Sequence, residues 1–155
     1  MMPKECKVII TDTSCFSLLY KLNSLELLHQ LFPTVITTPE IATEFNAELP
    51  DWVIIQTVVN RSLQQEFLQY IDPGEASAIA LASEIPFDFL ILDDGDARRF
   101  AEKLGMPVKG TIGLLLIAKN RGLIPLLKPY FDLIQQTNFR IAQTILDQVL
   151  RDVGE

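Results

Sequence analysis

The chain has 155 residues, of which 48% are apolar, and a formal net charge of −7. That length suits one α/β-sized domain able to bury about 70% of its unfolded surface without a disulfide or structural metal. The apolar fraction excludes a disordered chain, and the acidic balance argues against a protein that coats nucleic acid by bulk charge. The longest apolar run, Ile112 to Ala118, falls far short of the ~20 residues that span a bilayer. Met1-Met2-Pro3-Lys4 lacks an apolar signal core, so the sequence predicts a cytoplasmic chain with no membrane partner. Cys6 and Cys15 read as small reduced residues. A zinc site is not expected, and any Ser-His or Cys-His mechanism would rest on His29, which lies in a helix-like, Leu-rich stretch. The charge is uneven: the segment Arg98–Lys128 is +6 and the remainder −13. This allows a local basic face on an acidic protein.

In chain order, Val8-Ile9-Ile10 reads as a buried parallel strand ending at Asp12, with Thr13 or Ser14 capping the next helix. Helices are expected over Phe16–Leu22 and, capped by Ser24, over Leu25–Leu31. Thr34–Thr37 is a strand. Thr38-Pro39-Glu40 opens a helix running to about Leu49, with Glu44 at the border of the Ile41/Phe45 face. Trp52–Gln56 is a strand that Val58-Val59 could extend, and Arg61–Tyr70 is helical or loop-like. Asp72-Pro73-Gly74-Glu75 opens a helix of small residues, with Asp72 as cap and Glu75 in the first turn. Phe89–Leu92 is a second buried strand, ending at Asp93-Asp94. Helices follow over Ala97–Leu104, Ile112–Asn120, Pro125 to about Gln136 with a break at Pro129, and Ile141–Leu150. A short edge strand is expected at Pro107-Val108. Strands alternating with helices predict an α/β fold over residues 1–155, a central, mainly parallel sheet flanked by helices.

Open parallel sheets bind ligands at the carboxyl ends of their strands. If the Val8 and Phe89 strands are neighbours, Asp12 and Asp93-Asp94 converge there. Crowded carboxylates repel one another, and a cation relieves that cost. With oxygen donors only, the ion expected is Mg²⁺ or Mn²⁺, which suits phosphodiester hydrolysis. Equally, acids at strand ends are often no more than solvated caps. A receiver-type domain would carry its acid pair on the first strand, whereas here the pair comes late.

Four stretches in order resemble the motifs of PIN-domain ribonucleases. They are Ile10-Thr11-Asp12-Thr13-Ser14, the helix Thr38–Phe45 with Glu44, Gly74-Glu75-Ala76 with Ile79-Ala80, and Leu90-Ile91-Leu92-Asp93-Asp94. Glu75 stands where the family has Asp, and Leu92 where it has Thr. Asp94 is the better match for the fourth acid, with Asp93 beside it. The stretch from Pro73 to Gly113 is similar to a bacterial and archaeal branch of PIN-like proteins near the VapC-type toxins. The resemblance implies a three-layer PIN-like fold and an acidic site. In it Asp12, Glu44, Glu75 and Asp94 are catalytic, and Asp12, Glu44, Asp93 and Asp94 hold Mg²⁺ or Mn²⁺. It implies single-stranded RNA as substrate and an antitoxin protein as partner, the alternative being a binding module with a degenerate site. Thr13, Ser14, Arg98, Arg99 and Lys109 are the candidate substrate contacts. The apolar run from Ile112 and the last helix, together with the habit of similar proteins, predict a homodimer.

Overall fold

A computed structural model describes residues 7–155; Cys6 lies outside them. Five strands form one parallel sheet: β1 (Val8–Thr11), β2 (Thr34–Thr37), β3 (Val53–Ile55), β4 (Phe89–Ile91) and β5 (Val108–Lys109), in the order β3-β2-β1-β4-β5. The Val8 and Phe89 strands are thus parallel neighbours, with Ile9 opposite Phe89 and Thr11 opposite Ile91. β1 is central because its Val-Ile-Ile run is covered on both faces, Ile9 and Ile10 being fully buried. The chain steps from β1 to β2 on one side and later to β4 on the other. The switch point therefore lies between β1 and β4, where a ligand crevice opens at the carboxyl ends.

Among the described residues, helices α1 (Thr13–Lys21), α2 (Glu26–Leu31), α3 (Pro39–Phe45), α4 (Arg61–Phe67), α5 (Pro73–Ala82), α6 (Gly95–Lys103), α7 (Thr111–Asn120), α8 (Lys128–Gln135) and α9 (Gln143–Asp152) flank the sheet. α5 is buried almost throughout, and packs on β1, β4, α3 and α4. Its Ala, Ser and Gly residues allow that close approach. The buried Thr38 and Ser77 hydroxyls lie 2.6 Å apart and pin α3 against α5.

Several boundaries differ from the sequence reading. α1 is capped by Asp12 itself, not by Thr13 or Ser14. No side chain caps α2; the Ser24 hydroxyl donates instead to the Leu22 carbonyl. α3 stops at Phe45, not near Leu49, because Asn46 turns left-handed at φ 55°. β3 does not extend to Val58-Val59. α4 is a helix capped by Asn60. α6 starts at Gly95, two residues before Ala97, because Asp94 caps it. Pro129 opens α8 rather than interrupting it, since a helix's first turn needs no N–H from that residue. α9 begins at Gln143, after Ile141. The apolar run of α7 is packed inside the chain through Leu114, Leu115 and Ala118. Cys15 is free and buried.

Candidate active site

Asp12 follows β1 directly, its N–H donating to the Ile91 carbonyl of β4 at 3.2 Å. The side chain is 4% exposed. Its Oδ1 accepts from Cys15 N at 2.9 Å, closing the first turn of α1, and its Oδ2 accepts from Asp93 N at 3.0 Å. Burial holds its pKa well above the ordinary carboxylate range, and the charges of Asp93 and then Glu75 push the same way, against the two backbone bonds.

Asp93 carries the other strand end. Its Oδ1 accepts from Thr111 N at 2.8 Å and its Oδ2 from the Thr111 hydroxyl at 2.6 Å, at the start of α7. Burial raises its pKa, and the Thr111 bonds and the Arg98 guanidinium oppose the rise without cancelling it. Asp94 turns away to cap α6, its Oδ2 accepting from Ala97 N at 3.0 Å. Leu92 is fully buried, and the hydroxyl that meets Asp93 is that of Thr111.

Glu44 reaches across from α3. Its Oε2 accepts from the Thr13 hydroxyl at 2.9 Å. Its carboxylate lies so close over Gly74 that a Cβ there would collide with Oε1. Glu75 folds back into a capping box: Glu75 N donates to Asp72 Oδ1 at 3.0 Å, and Asp72 N to Glu75 Oε1 at 3.3 Å. Its pKa is pushed up from 4.5 to about 8, first by burial, then by the charges of Asp72 and Asp94. A cleft of about 40 Å³ is lined by Asp12, Thr13, Ser14, Glu44, Asp72, Gly74 and Glu75. Such a volume holds an ion or a water or two.

Three of the four stretches singled out in the sequence thus bring Asp12, Glu44 and Glu75 to one cleft. Asp93 lies beside Asp12 through its backbone, and Asp94 is felt by Glu75 through its charge. The cleft also holds Asp72, read from sequence only as a cap. The Asp72-Pro73-Gly74-Glu75 spacing signals two acids locked together, but not the wall they face. Arg98 is half-buried beside Asp93, and Lys109 lies over the Phe89 ring at 5.7 Å. Arg99 is paired with Asp96. Elsewhere in the basic segment, Lys119 pairs with Glu155, Lys128 with Asp132, and Arg121 donates to the Leu31 carbonyl. His29 is exposed and stacks on Trp52 at 5.0 Å.

The donor set fits a hard divalent cation. All the donors are carboxylate or hydroxyl oxygens, and three of the carboxyls have raised pKa values that a bound cation would relieve. Among the described residues, no three His, Cys, Asp or Glu side chains stand as a ready-made cage for one ion. Glu44 and Glu75 would have to swing from Thr13 and Asp72 to close one. No helix among the described residues is long and apolar enough to cross a membrane.

A family model described as PIN domain matches residues 8–155. Neither a search of curated proteins nor one of solved structures gave a match. The matched span runs through all five strands and every candidate acid, and the chain belongs to the PIN-domain family of nuclease-like modules.

Proposed function

We propose that the chain is a single PIN-like domain over residues 1–155 that hydrolyses phosphodiester bonds of single-stranded RNA as a Mg²⁺- or Mn²⁺-dependent endoribonuclease. The observation that carries this reading is the Asp12 carboxylate, buried at the switch point of the sheet with the Asp93 carboxylate close enough to oppose its charge. Such a charge is costly in a fold unless a cation or a proton offsets it. Asp12, Glu44 and Asp94 would hold the ion, Asp94 by turning from its cap on Ala97 N, with Asp93 and Glu75 reaching it directly or through water. A bound Mg²⁺ or Mn²⁺ supplies charge neutralisation at the phosphodiester and acidifies water.

The chain's own groups prepare that chemistry. Cys15 N and Asp93 N fix both Asp12 oxygens, so the carboxylate is aimed before any ligand arrives. Glu75, whose pKa burial and the charges of Asp72 and Asp94 push up to about 8, would give up its proton to a cation bound beside it. Thr13 keeps Glu44 at the cleft, exposed Ser14 lines it, and Arg98 and Lys109, with Arg99 once freed from Asp96, would attract the phosphate backbone.

The test compares labelled single-stranded RNAs incubated with Mn²⁺ and wild type, with Asp12→Asn, and with wild type plus EDTA. Cleavage by wild type alone supports the reading; cleavage under all three conditions sinks it. A second reading, a PIN-like binding module with a degenerate site, is favoured by Glu75, which turns back onto Asp72 instead of toward Asp12. RNA binding with no cleavage and no Mn²⁺-dependent rise in melting temperature would select it. On the nuclease reading the chain is the toxin of a toxin–antitoxin pair in the cytoplasm. Induced wild type then halts growth of a bacterial host and Asp12→Asn does not. Exposed Leu123, Leu126 and Leu133 support self-pairing into a homodimer, which light scattering at micromolar concentration tests.

A further inference from the structure

Beside the acidic cleft runs a second, larger hollow of about 610 Å³, between the β5–α7 connection and the segment from Phe139 to Val149. We propose that this groove is a nucleotide subsite for the strand being cut. It would take one base against its apolar floor and the adjoining phosphates at its cationic rim. The proposal rests on the reading of the neighbouring acids as an RNA-cleaving site, and names the part of the molecule that holds the substrate.

Its two halves have the two chemistries of a nucleotide. The floor is aliphatic, with Ile112 and Leu116 of α7 facing Ile141, Ile145 and Val149 of the closing segment. Ile145 is 53% exposed although it belongs to an amphipathic helix whose Leu146 is fully buried. Phe139 also lines the hollow, and aromatic rings stack bases without regard to sequence. The rim carries Arg98, Lys109 and Arg140, from three separate segments, and Asp93 is the one acid in the lining. In a chain of net charge −7, three cations against one acid, Asp93 beside Arg98, are a local reversal of sign. That complementarity fits a polyanion bearing flat apolar groups, and single-stranded RNA is one. The volume lies within the range of about 300–1,000 Å³ that small-molecule sites occupy.

The groove is also continuous with the acids. Asp93 lines it, and the backbone N–H of Asp93 is bonded to Asp12 in the cleft. Gly110 stands at the junction. A Cβ there would lie 3.1 Å from Asp93 Oδ1 and 3.3 Å from Arg98 Nη1, so only glycine lets the backbone come this close to both groups. A strand lying across the Asp93 carboxylate would thus touch the groove and the acids together.

The experiment measures binding of fluorescein-labelled ten-residue oligouridylate and oligoadenylate by anisotropy in EDTA. It also measures KM for their cleavage with Mn²⁺, using wild type, Arg140→Ala and Ile145→Glu. Both substitutions are at exposed positions, and circular dichroism checks the fold of each variant. Arg140→Ala should weaken binding about three- to tenfold and lower the slope of log affinity against log salt by about 1. Ile145→Glu should weaken it by about tenfold or more, and KM should rise in parallel. Both variants binding within twofold of wild type would overturn the groove. So would tighter binding of a polyglutamate peptide than of RNA, or a change of mass in Ile145→Glu by light scattering, which would mean that a protein or a second copy covers it. Wild type that cleaves while both variants keep its KM sinks the groove and leaves the nuclease. Arg140-dependent binding with no cleavage sinks the nuclease and leaves the groove.

Discussion

Asp12 Oδ2 accepts the backbone N–H of Asp93 at 3.0 Å, across 81 residues of sequence. The bond ties the ends of β1 and β4 together at the point where the sheet reverses its strand order. One carboxylate therefore does two jobs, capping α1 through Oδ1 and closing the β1–β4 crevice through Oδ2. Asp12→Asn keeps the shape but has only one oxygen, so one of the two backbone donors loses its acceptor, at a cost of about 1–3 kcal/mol. Removing a charge that burial and Asp93 oppose works the other way. The expected outcome is a melting temperature within a few degrees of wild type, with Mn²⁺-dependent cleavage abolished. A fold lost outright, seen by circular dichroism, would show that the clamp outweighs the repulsion.

Glu75 predicts how stability follows pH in metal-free buffer. Its pKa is about 8 in the folded chain against 4.5 ordinarily, so between those values the folded chain binds more protons than the unfolded one. Stability is fully present below about pH 4.5 and declines as pH rises toward 8. Because the side chain is partly open to water, the loss traceable to it is put at roughly 1–2 kcal/mol, well short of the full shift. Glu75→Gln retains a capping-box acceptor and cannot ionise. Its melting temperature should fall less than that of wild type between pH 5 and pH 8. Parallel curves for the two proteins would remove Glu75 as the cause.

The sheet was legible because a parallel core needs β-branched runs, and Val8-Ile9-Ile10 and Phe89-Leu90-Ile91 are short enough to be strands and nothing else. Glu44 was legible from its place beside the Ile41/Phe45 face. The ends of helices were not: Asp12, Thr13 and Ser14 are all good capping residues, and only the backbone decides which of them stands before the first turn, as Asp12 does. The partner of Asp93 was hidden for the same reason, since Thr111 is 18 residues away and becomes its neighbour only once β5 pairs with β4. The groove was invisible because Arg98, Lys109 and Arg140 lie on three segments with no shared period.

Thr111→Val tests how Asp93 is held. Val has nearly the same shape and keeps the backbone N–H bond, but the 2.6 Å hydroxyl bond to Oδ2 is lost. Bonds to a charged carboxylate are worth about 1.5–3 kcal/mol. The bond favours the ionised form, so its removal should raise the Asp93 pKa further and destabilise the chain more at pH 8 than at pH 5. Thermal melts at the two pH values check this, with Thr111→Ser restoring most of the loss. An equal loss at both values would mean that the hydroxyl serves packing and not the charge.

Gly74→Ala separates the site from the fold. Gly74 lies in the first turn of α5, where Ala is no worse a helix former and reduces the entropy of the unfolded chain. What the new methyl meets is the Glu44 carboxylate, the far end of a flexible, exposed side chain. Glu44 can swing into water at little cost, giving up its bond to Thr13. Stability should therefore stay within about 1 kcal/mol of wild type. If Glu44 belongs to the ion's shell, Mn²⁺ should raise the melting temperature of the variant much less than that of wild type, and cleavage should fall by about tenfold or more. Glu44→Gln should reproduce the loss without the methyl. Undiminished Mn²⁺ response and cleavage in both variants would remove Glu44 from the site and leave Asp12, Asp93 and Asp94 to hold the ion without it.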